Sequence, residues 1–234
     1  MNKIHNHSAQ PLISLDMTLF ELIEAYPSLL SILARLDITL PFGDITLSDM
    51  CKRDNHSSAV FLTLCSMHID PSFRPAKEEL TVDMIDEVVG YLRASHRYYS
   101  SHMLPHASKH LDDILAHCDD LSRTALRSFY TDYVRYVENH FEEEERTIFR
   151  LIESSVGAIN RNLDIFDRPH SDIDDRTNDI ASLVFKSLPE KAPTVLRTAM
   201  LKDIYALRDD LRRHSNIESY LLKPLVDKFI NTKR

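Results

Sequence analysis

The chain has 234 residues, 43% of them hydrophobic and 27% charged, so it can bury a real core without disulfide or metal staples. Only 3 glycines occur, which argues against Rossmann, P-loop and multi-hairpin β folds, because these need glycine in tight turns and phosphate-binding loops. The formal net charge of -8 disfavours nucleic acid as a partner, because an acidic surface repels phosphate backbones.

Targeting and membrane signals are weak in this sequence. No stretch approaches the roughly 18 uncharged apolar residues that a membrane-spanning helix requires. The N-terminus shows no basic flank before an apolar run, and Cys51, Cys65 and Cys118 are too few and too scattered for a disulfide framework or a thiolate zinc site. We therefore expect a cytoplasmic protein that does not associate with membranes.

The first 80 residues have a helical pattern of short segments. An apolar stripe with three- and four-residue spacing runs from Leu19 to Leu36 and predicts two short helices. Ser48 and Ser57 are predicted to cap two further helices. Residues 1–80 are therefore expected to form a small helical N-terminal domain.

Four long helical stretches follow a polar segment with two prolines at 68–75, which predicts a linker and a domain boundary near residue 80. They are predicted at about 82–117, 122–154, 165–187 and 194–230. Pro105 is predicted to bend the first, and the short breaks between stretches indicate antiparallel neighbours. The predicted fold is all-α, with an up-down four-helix bundle at 81–234.

Two histidine and glutamate pairs repeat on the second and fourth stretches. His140 and Glu144, like His214 and Glu218, are four residues apart and so share one helix face. Apolar residues four and seven positions after each glutamate lie on the same face, so both pairs are predicted to point toward the core. Because a buried carboxylate is costly unless it is paired or bound to a metal, the pattern favours a metal site. A metal-free bundle with buried ion pairs is the alternative.

A complete site needs ligands from the first and third stretches as well. His96 and His170 are the best placed candidates there. Rival candidates on the first stretch are His102, His106 and His110, the last two of which are also four residues apart. His96 is preferred because the rivals lie beyond or beside the predicted bend.

The types and the number of the candidate ligands restrict which metal, and how many ions, the site can hold. Imidazoles and carboxylates without thiolates suit zinc, manganese or iron. Four imidazoles and two carboxylates are too many for one tetrahedral zinc, but they suit two metals bridged by both glutamates. A solvent-derived oxo or hydroxo bridge would leave one position open for a small molecule. We therefore expect two iron ions in a redox or gas-binding centre.

Several motifs of the chain match those of a known family. They are Ser95-His96, Tyr99, Leu104-Pro105, His140-Phe141-Glu142-Glu143-Glu144-Glu145, Phe149, His170 and His214-x3-Glu218-x5-Pro224. Together they resemble the hemerythrin-like (HHE cation-binding) domain, and specifically its di-iron branch that repairs iron-sulphur clusters. The resemblance covers nearly the whole chain and implies a non-haem di-iron centre with histidine and glutamate ligands.

The resemblance also implies a function and partners. Such a protein protects or restores iron-sulphur enzymes after nitrosative or oxidative stress, so its expected partners are nitric oxide, oxygen or peroxide and damaged iron-sulphur proteins. A homodimer is one option for its assembly. The N-terminal domain of that branch usually carries a cysteine pair before a glycine, but this chain has Leu40-Pro41-Phe42-Gly43 there.

A second function stays open at this point, namely that of a hemerythrin-like oxygen-binding or gas- and redox-sensing protein. Oxygen-carrying relatives use five histidines and two carboxylates, whereas four histidines are assigned here. That difference favours repair.

Overall fold

The computed structural model describes residues 13–39, 43–153, 171–186, 188 and 191–232. Within these ranges all regular structure is helical apart from one isolated bridge between Thr18 and Thr46, which confirms the all-α prediction. The chain divides into two compact units, Met1–Asp70 and Pro71–Arg234. The domain boundary predicted near residue 80 stays a prediction. No helix in the described part of the chain has both the length and the apolar character needed to cross a membrane.

The described part of the first unit, 13–39 and 43–70, contains four short α-helices and one 3-10 turn. They are α1 (Leu19–Ala25), the 3-10 turn Pro27–Leu29, α2 (Leu30–Arg35), α3 (Leu47–Arg53) and α4 (Ser58–Ile69). The side chain of Ser57 accepts a hydrogen bond from the backbone N–H of Val60, so Ser57 caps α4 as predicted. Helix α3 begins earlier than predicted, because Thr46 rather than Ser48 accepts the capping bond, from the N–H of Asp49.

Four long helices, preceded by a 3-10 turn at Val82–Met84, make up the regular structure in the described part of the second unit. The first bundle helix comprises α5 (Ile85–Tyr98), a π-helical turn at Tyr99–Met103 and α6 (Leu104–Leu115). The second comprises α7 (Asp120–Glu144), a π-helical turn at Glu145–Phe149 and α8 (Arg150–Glu153), and the third is α9 (Ser171–Lys186). The fourth comprises α10 (Thr194–Ile217), a π-helical turn at Glu218–Leu222 and α11 (Lys223–Thr232). The four predicted stretches are thus present, although the predicted start of the third, at 165–170, lies outside the described residues.

The bundle helices form a closed ring in which the first and third each contact the second and fourth. The phenol of Tyr130 donates to the carbonyl of Leu104 at 2.7 Å, and His96 lies 3.1 Å from Glu145, so early residues of the first helix meet late residues of the second. The second and third bundle helices are antiparallel in the same way, as the pairs Tyr133 with Thr177 and Tyr136 with Asp172 show. So are the third and fourth, joined by Asn178 with Arg208 and Asp174 with Arg212. Neighbours therefore run antiparallel, as the up-down prediction requires.

Most of the interior of the ring is apolar, with residues from every bundle helix. Leu111, Val137, Ile180 and Leu207 are each at most 2% exposed and belong to one buried cluster. Burying a side chain of this size contributes about 2 kcal/mol to folding. This core fixes the faces of the four helices and so determines which polar side chains meet next to it.

Three of the bundle helices are interrupted by a π-helical turn, which the periodicity of the sequence does not predict. The π-helical turn at Tyr99–Met103 directly precedes α6, and Pro105 lies in the first turn of α6 and has no N–H to pair. The bend predicted at Pro105 stays a prediction. The other two turns begin at Glu145 and Glu218. Such turns are frequent at functional sites, because they change which residues share a helix face.

The bond between Tyr130 and Leu104 yields a test of the bundle. Tyr130→Phe removes the donor from a buried carbonyl, so we expect the free energy of unfolding in urea to fall by about 1 kcal/mol. Tyr136→Phe is the matched control, because its half-buried phenol is 3.5 Å from Asp172. Equal losses in the two variants would contradict the assigned role of the Tyr130 bond.

Candidate metal centre

Four polar side chains from three bundle helices meet in the interior of the second unit. They are His96 on α5, Glu144 at the end of α7, His214 on α10 and Glu218 at the start of the fourth-helix π turn. All are buried, with at most 7% of each residue exposed. One donor atom from each lies within 4.8 Å of those of the others, which is compact enough for a shared cation.

Imidazole nitrogens converge at the centre of this cluster. Nε2 of His96 is 3.0 Å from Nε2 of His214 and 3.3 Å from Oε2 of Glu144. Nε2 of His214 is 3.2 Å from Oε1 of Glu218. Two ring nitrogens this close cannot both carry a proton, so one lone pair and two carboxylates face the same small space.

His140 lies next to the cluster and contacts Glu144. Its Nε2 is 2.8 Å from Oε1 of Glu144, one turn along the same helix, as the four-residue spacing predicts. The two oxygens of Glu144 therefore face different histidines, Oε1 toward His140 and Oε2 toward His96. This is the disposition that a carboxylate between two cations requires.

Glu145 supports the cluster from outside. Its Oε1 accepts a hydrogen bond from Nδ1 of His96 at 3.1 Å, although its side chain remains 42% exposed. Glu145 belongs to a run of four glutamates, a pattern typical of an exposed helix face. The His96 ring also stacks on Phe141 and Phe149, with centroids 4.3 and 5.5 Å away. A partner on Nδ1 and stacking on the ring fix its orientation and leave Nε2 for the cluster.

Burial and charge act in opposite directions on the two central histidines. Burial alone would lower the pKa of His96, but the hydrogen bonds with Glu144 and Glu145 raise it above its ordinary value. Burial lowers the pKa of His214 despite the nearby charge of Glu218. The bond from His96 holds the pKa of Glu145 below its usual range. The pKa values of the two imidazoles are therefore shifted in opposite directions, that of His96 toward the protonated form and that of His214 toward the neutral form.

The donor set suits a metal cation. Two carboxylates buried in the same cluster repel each other, and separating them from water is costly unless a positive charge compensates. The imidazole nitrogens and carboxylate oxygens, with no thiolate, match iron, zinc or manganese. Because a metal binds the neutral imidazole, metal binding competes with protonation of His96.

Five of the six predicted ligands lie among the described residues. The structure brings together His96, Glu144, His214 and Glu218, with His140 against Glu144, whereas His170 lies outside the described residues. Their assignment as metal ligands stays a prediction.

Three rivals of His96 lie elsewhere. His102 is exposed and pairs with Ser101, and both His106 and His110 contact Asp203. The geometry thus favours His96 as the first-helix candidate.

A family comparison agrees with this geometry. The family described as "Hemerythrin HHE cation binding domain" matches residues 84–226, which is more than half of the chain. The chain belongs to this family. The matched range includes all six candidate ligands, so the hemerythrin-like bundle is a metal-binding unit. No curated protein and no solved structure matches the chain significantly.

The contact between His96 and Glu145 predicts a pH-dependent effect in metal-free protein. The pKa of His96 is raised, so its contribution is complete below 6.5 and disappears as the pH rises through the raised value. The pKa of Glu145 is lowered, so its contribution is present above 4.5 and disappears as the pH falls through the lowered value. The pair is therefore strongest between these limits.

We expect Glu145→Gln to lower the free energy of unfolding at pH 6 by about 1 kcal/mol or less, because the carboxylate is partly screened by solvent. The difference from wild type should shrink as the pH is raised. Glu142→Gln is the control, since Glu142 is exposed in the same run of glutamates. Urea unfolding of chelator-treated protein measures both, and a loss that is constant with pH would contradict the pairing.

Proposed function

We propose that this hemerythrin-like protein holds two iron ions in a non-haem centre and protects or repairs iron-sulphur clusters under nitrosative or oxidative stress. The observation that carries the proposal is the buried carboxylate of Glu144, whose two oxygens face histidines of two different helices. The pair His214 and Glu218 meets it from the fourth bundle helix. In the proposed centre His170 supplies the remaining histidine.

The ligand set supports a centre that can change its charge. Glu144 and Glu218 would bridge the ions, while His96, His140, His170 and His214 would complete the set. Bound there, iron supplies redox chemistry and an open coordination position for nitric oxide, oxygen or peroxide. Carboxylates tolerate both ferrous and ferric iron, which suits a site that gains and loses iron.

Neighbouring side chains orient the candidate ligands and exclude water from the site. Glu145 holds the His96 ring through Nδ1, so Nε2 stays directed at the cluster. Phe141 and Phe149, both nearly fully buried, exclude water from one side of that ring. Tyr99 donates to the backbone carbonyl of Asp210 at 3.2 Å, which links the first and fourth bundle helices next to the cluster.

The number of histidines supports repair over oxygen carriage. An oxygen-carrying centre in this family would need a fifth histidine. Among the described residues, the remaining histidines of the first bundle helix contact other partners: His102 pairs with Ser101, and both His106 and His110 contact Asp203.

Removing both bridging candidates tests the centre itself. We expect Glu144→Leu with Glu218→Leu to abolish iron binding while the metal-free protein stays folded, because replacing buried charges with apolar groups is often neutral or stabilising. Glu142→Leu is the control on the same helix and should retain its iron. Iron content by mass spectrometry and urea unfolding report the two properties. A double variant with wild-type iron content would contradict the assignment.

Repair is tested by transfer to a damaged client. Iron-loaded protein is mixed without oxygen with a [4Fe–4S] dehydratase inactivated by nitric oxide, and the recovered dehydratase activity is measured. We expect recovery with the wild type and Glu142→Leu but not with the double variant. No recovery with fully iron-loaded protein would overturn the repair function, and reversible oxygen binding without oxidation of the iron would establish oxygen carriage instead.

A further inference from the structure

A second group of metal-ligating side chains lies between the first and fourth bundle helices. His106 and His110 on α6 both face Asp203 on α10, and we call these three residues the lateral cluster. Nδ1 of His106 is 3.2 Å and Nδ1 of His110 is 2.5 Å from the same oxygen, Oδ2 of Asp203. The two rings lie edge to face, with centroids 4.7 Å apart.

The lateral cluster is separate from the buried centre. His106 follows His96 by ten residues, and Asp203 precedes His214 by eleven. At 1.5 Å per residue, each offset is roughly 15 Å along its helix. The two groups therefore share no side chain and could not share an ion.

We propose that the lateral cluster is a second metal site that takes a zinc-class divalent cation. Nδ1 of His106, Nδ1 of His110 and a carboxylate oxygen of Asp203 are its three protein ligands. One donor atom of each residue lies within 4.8 Å of those of the other two, whereas a tetrahedral zinc with bonds of about 2.0 to 2.1 Å holds its ligands about 3.3 Å apart. Binding would therefore draw the three side chains closer together.

Three features distinguish this arrangement from an ordinary contact between helices. Both imidazoles direct Nδ1 at the same oxygen of Asp203, so the three donor groups lie together between the two helices. Two imidazoles and one carboxylate match zinc in ligand type, and the cation would offset the negative charge of the carboxylate. The side chains of His110 and Asp203 are 25% and 21% exposed, which leaves access for a hydrated ion.

A cavity adjoins the lateral cluster and provides room for a further ligand. It has a volume of about 520 Å³ and is lined by His106, Asp203 and His102, among other residues. A zinc with three protein ligands keeps a fourth position for water or a small molecule. His106 and Asp203 both line this cavity, so it gives a fourth ligand access to the lateral cluster, and His102 lines the same cavity.

Zinc titration of the full chain with iron already loaded tests the site. We expect one additional zinc per chain in calorimetry, and a Kd raised at least about tenfold by His110→Ala or by Asp203→Asn. Asp203→Asn keeps a hydrogen-bond acceptor for the two histidines, so it removes the charged ligand without removing the helix contact. His117→Ala is the control, because His117 is exposed just beyond α6.

Two further readouts decide the outcome. Zinc-edge X-ray absorption of the titrated protein should show two imidazoles and oxygen ligands at about 2.0 to 2.1 Å, with the iron content unchanged. Zinc binding that is equal in wild type and all variants, zinc uptake matched by iron release, or no zinc binding would each overturn the proposal. Because the difference between wild type and the lateral variants counts only this site, the result is independent of whether the buried centre repairs clusters.

Discussion

The burial of two carboxylates next to one another is the constraint on which the rest of the bundle depends. Glu144 and Glu218 lie in the same cluster, each at most 7% exposed, and like charges in a medium of low polarity repel strongly. In the metal-free state a proton on His96, whose pKa is raised, is a source of positive charge beside these carboxylates. Cations between the carboxylates would compensate both charges and replace that proton. In this cluster, polar side chains that suit cation binding therefore occupy core positions where apolar side chains would otherwise pack.

The antiparallel ring explains how residues more than a hundred positions apart reach one place. The start of the first helix, the end of the second and the end of the fourth lie at the same end of the bundle, so His96 meets Glu144 and His214. The π turns act at that end: one begins directly after Glu144 and another at Glu218. Each inserts an extra residue into a helical turn and changes the direction of the side chains that follow. At the other end of the first and fourth helices the same antiparallel order brings the lateral cluster together.

Much of this arrangement could be predicted from the sequence, because its main signals are periodic. The four-residue spacing of His140 with Glu144 and of His214 with Glu218, and the apolar residues after them, predict inward pairs on two helices. The choice of His96 over its rivals is clear only in the fold, since all of them lie on one helix. The contact of Glu145 with His96 could not be predicted, because a run of glutamates indicates an exposed face and the π turn that begins there leaves no sequence pattern.

The most direct test of the central claim is the metal content of the chain. Protein purified without oxygen is analysed by mass spectrometry for iron, zinc and manganese per chain. A buried centre with two bridging glutamates predicts about two irons per wild-type chain. No metal, or a single zinc in place of iron, would contradict it and would mean that the buried histidines and glutamates serve the structure of the bundle or a different chemistry.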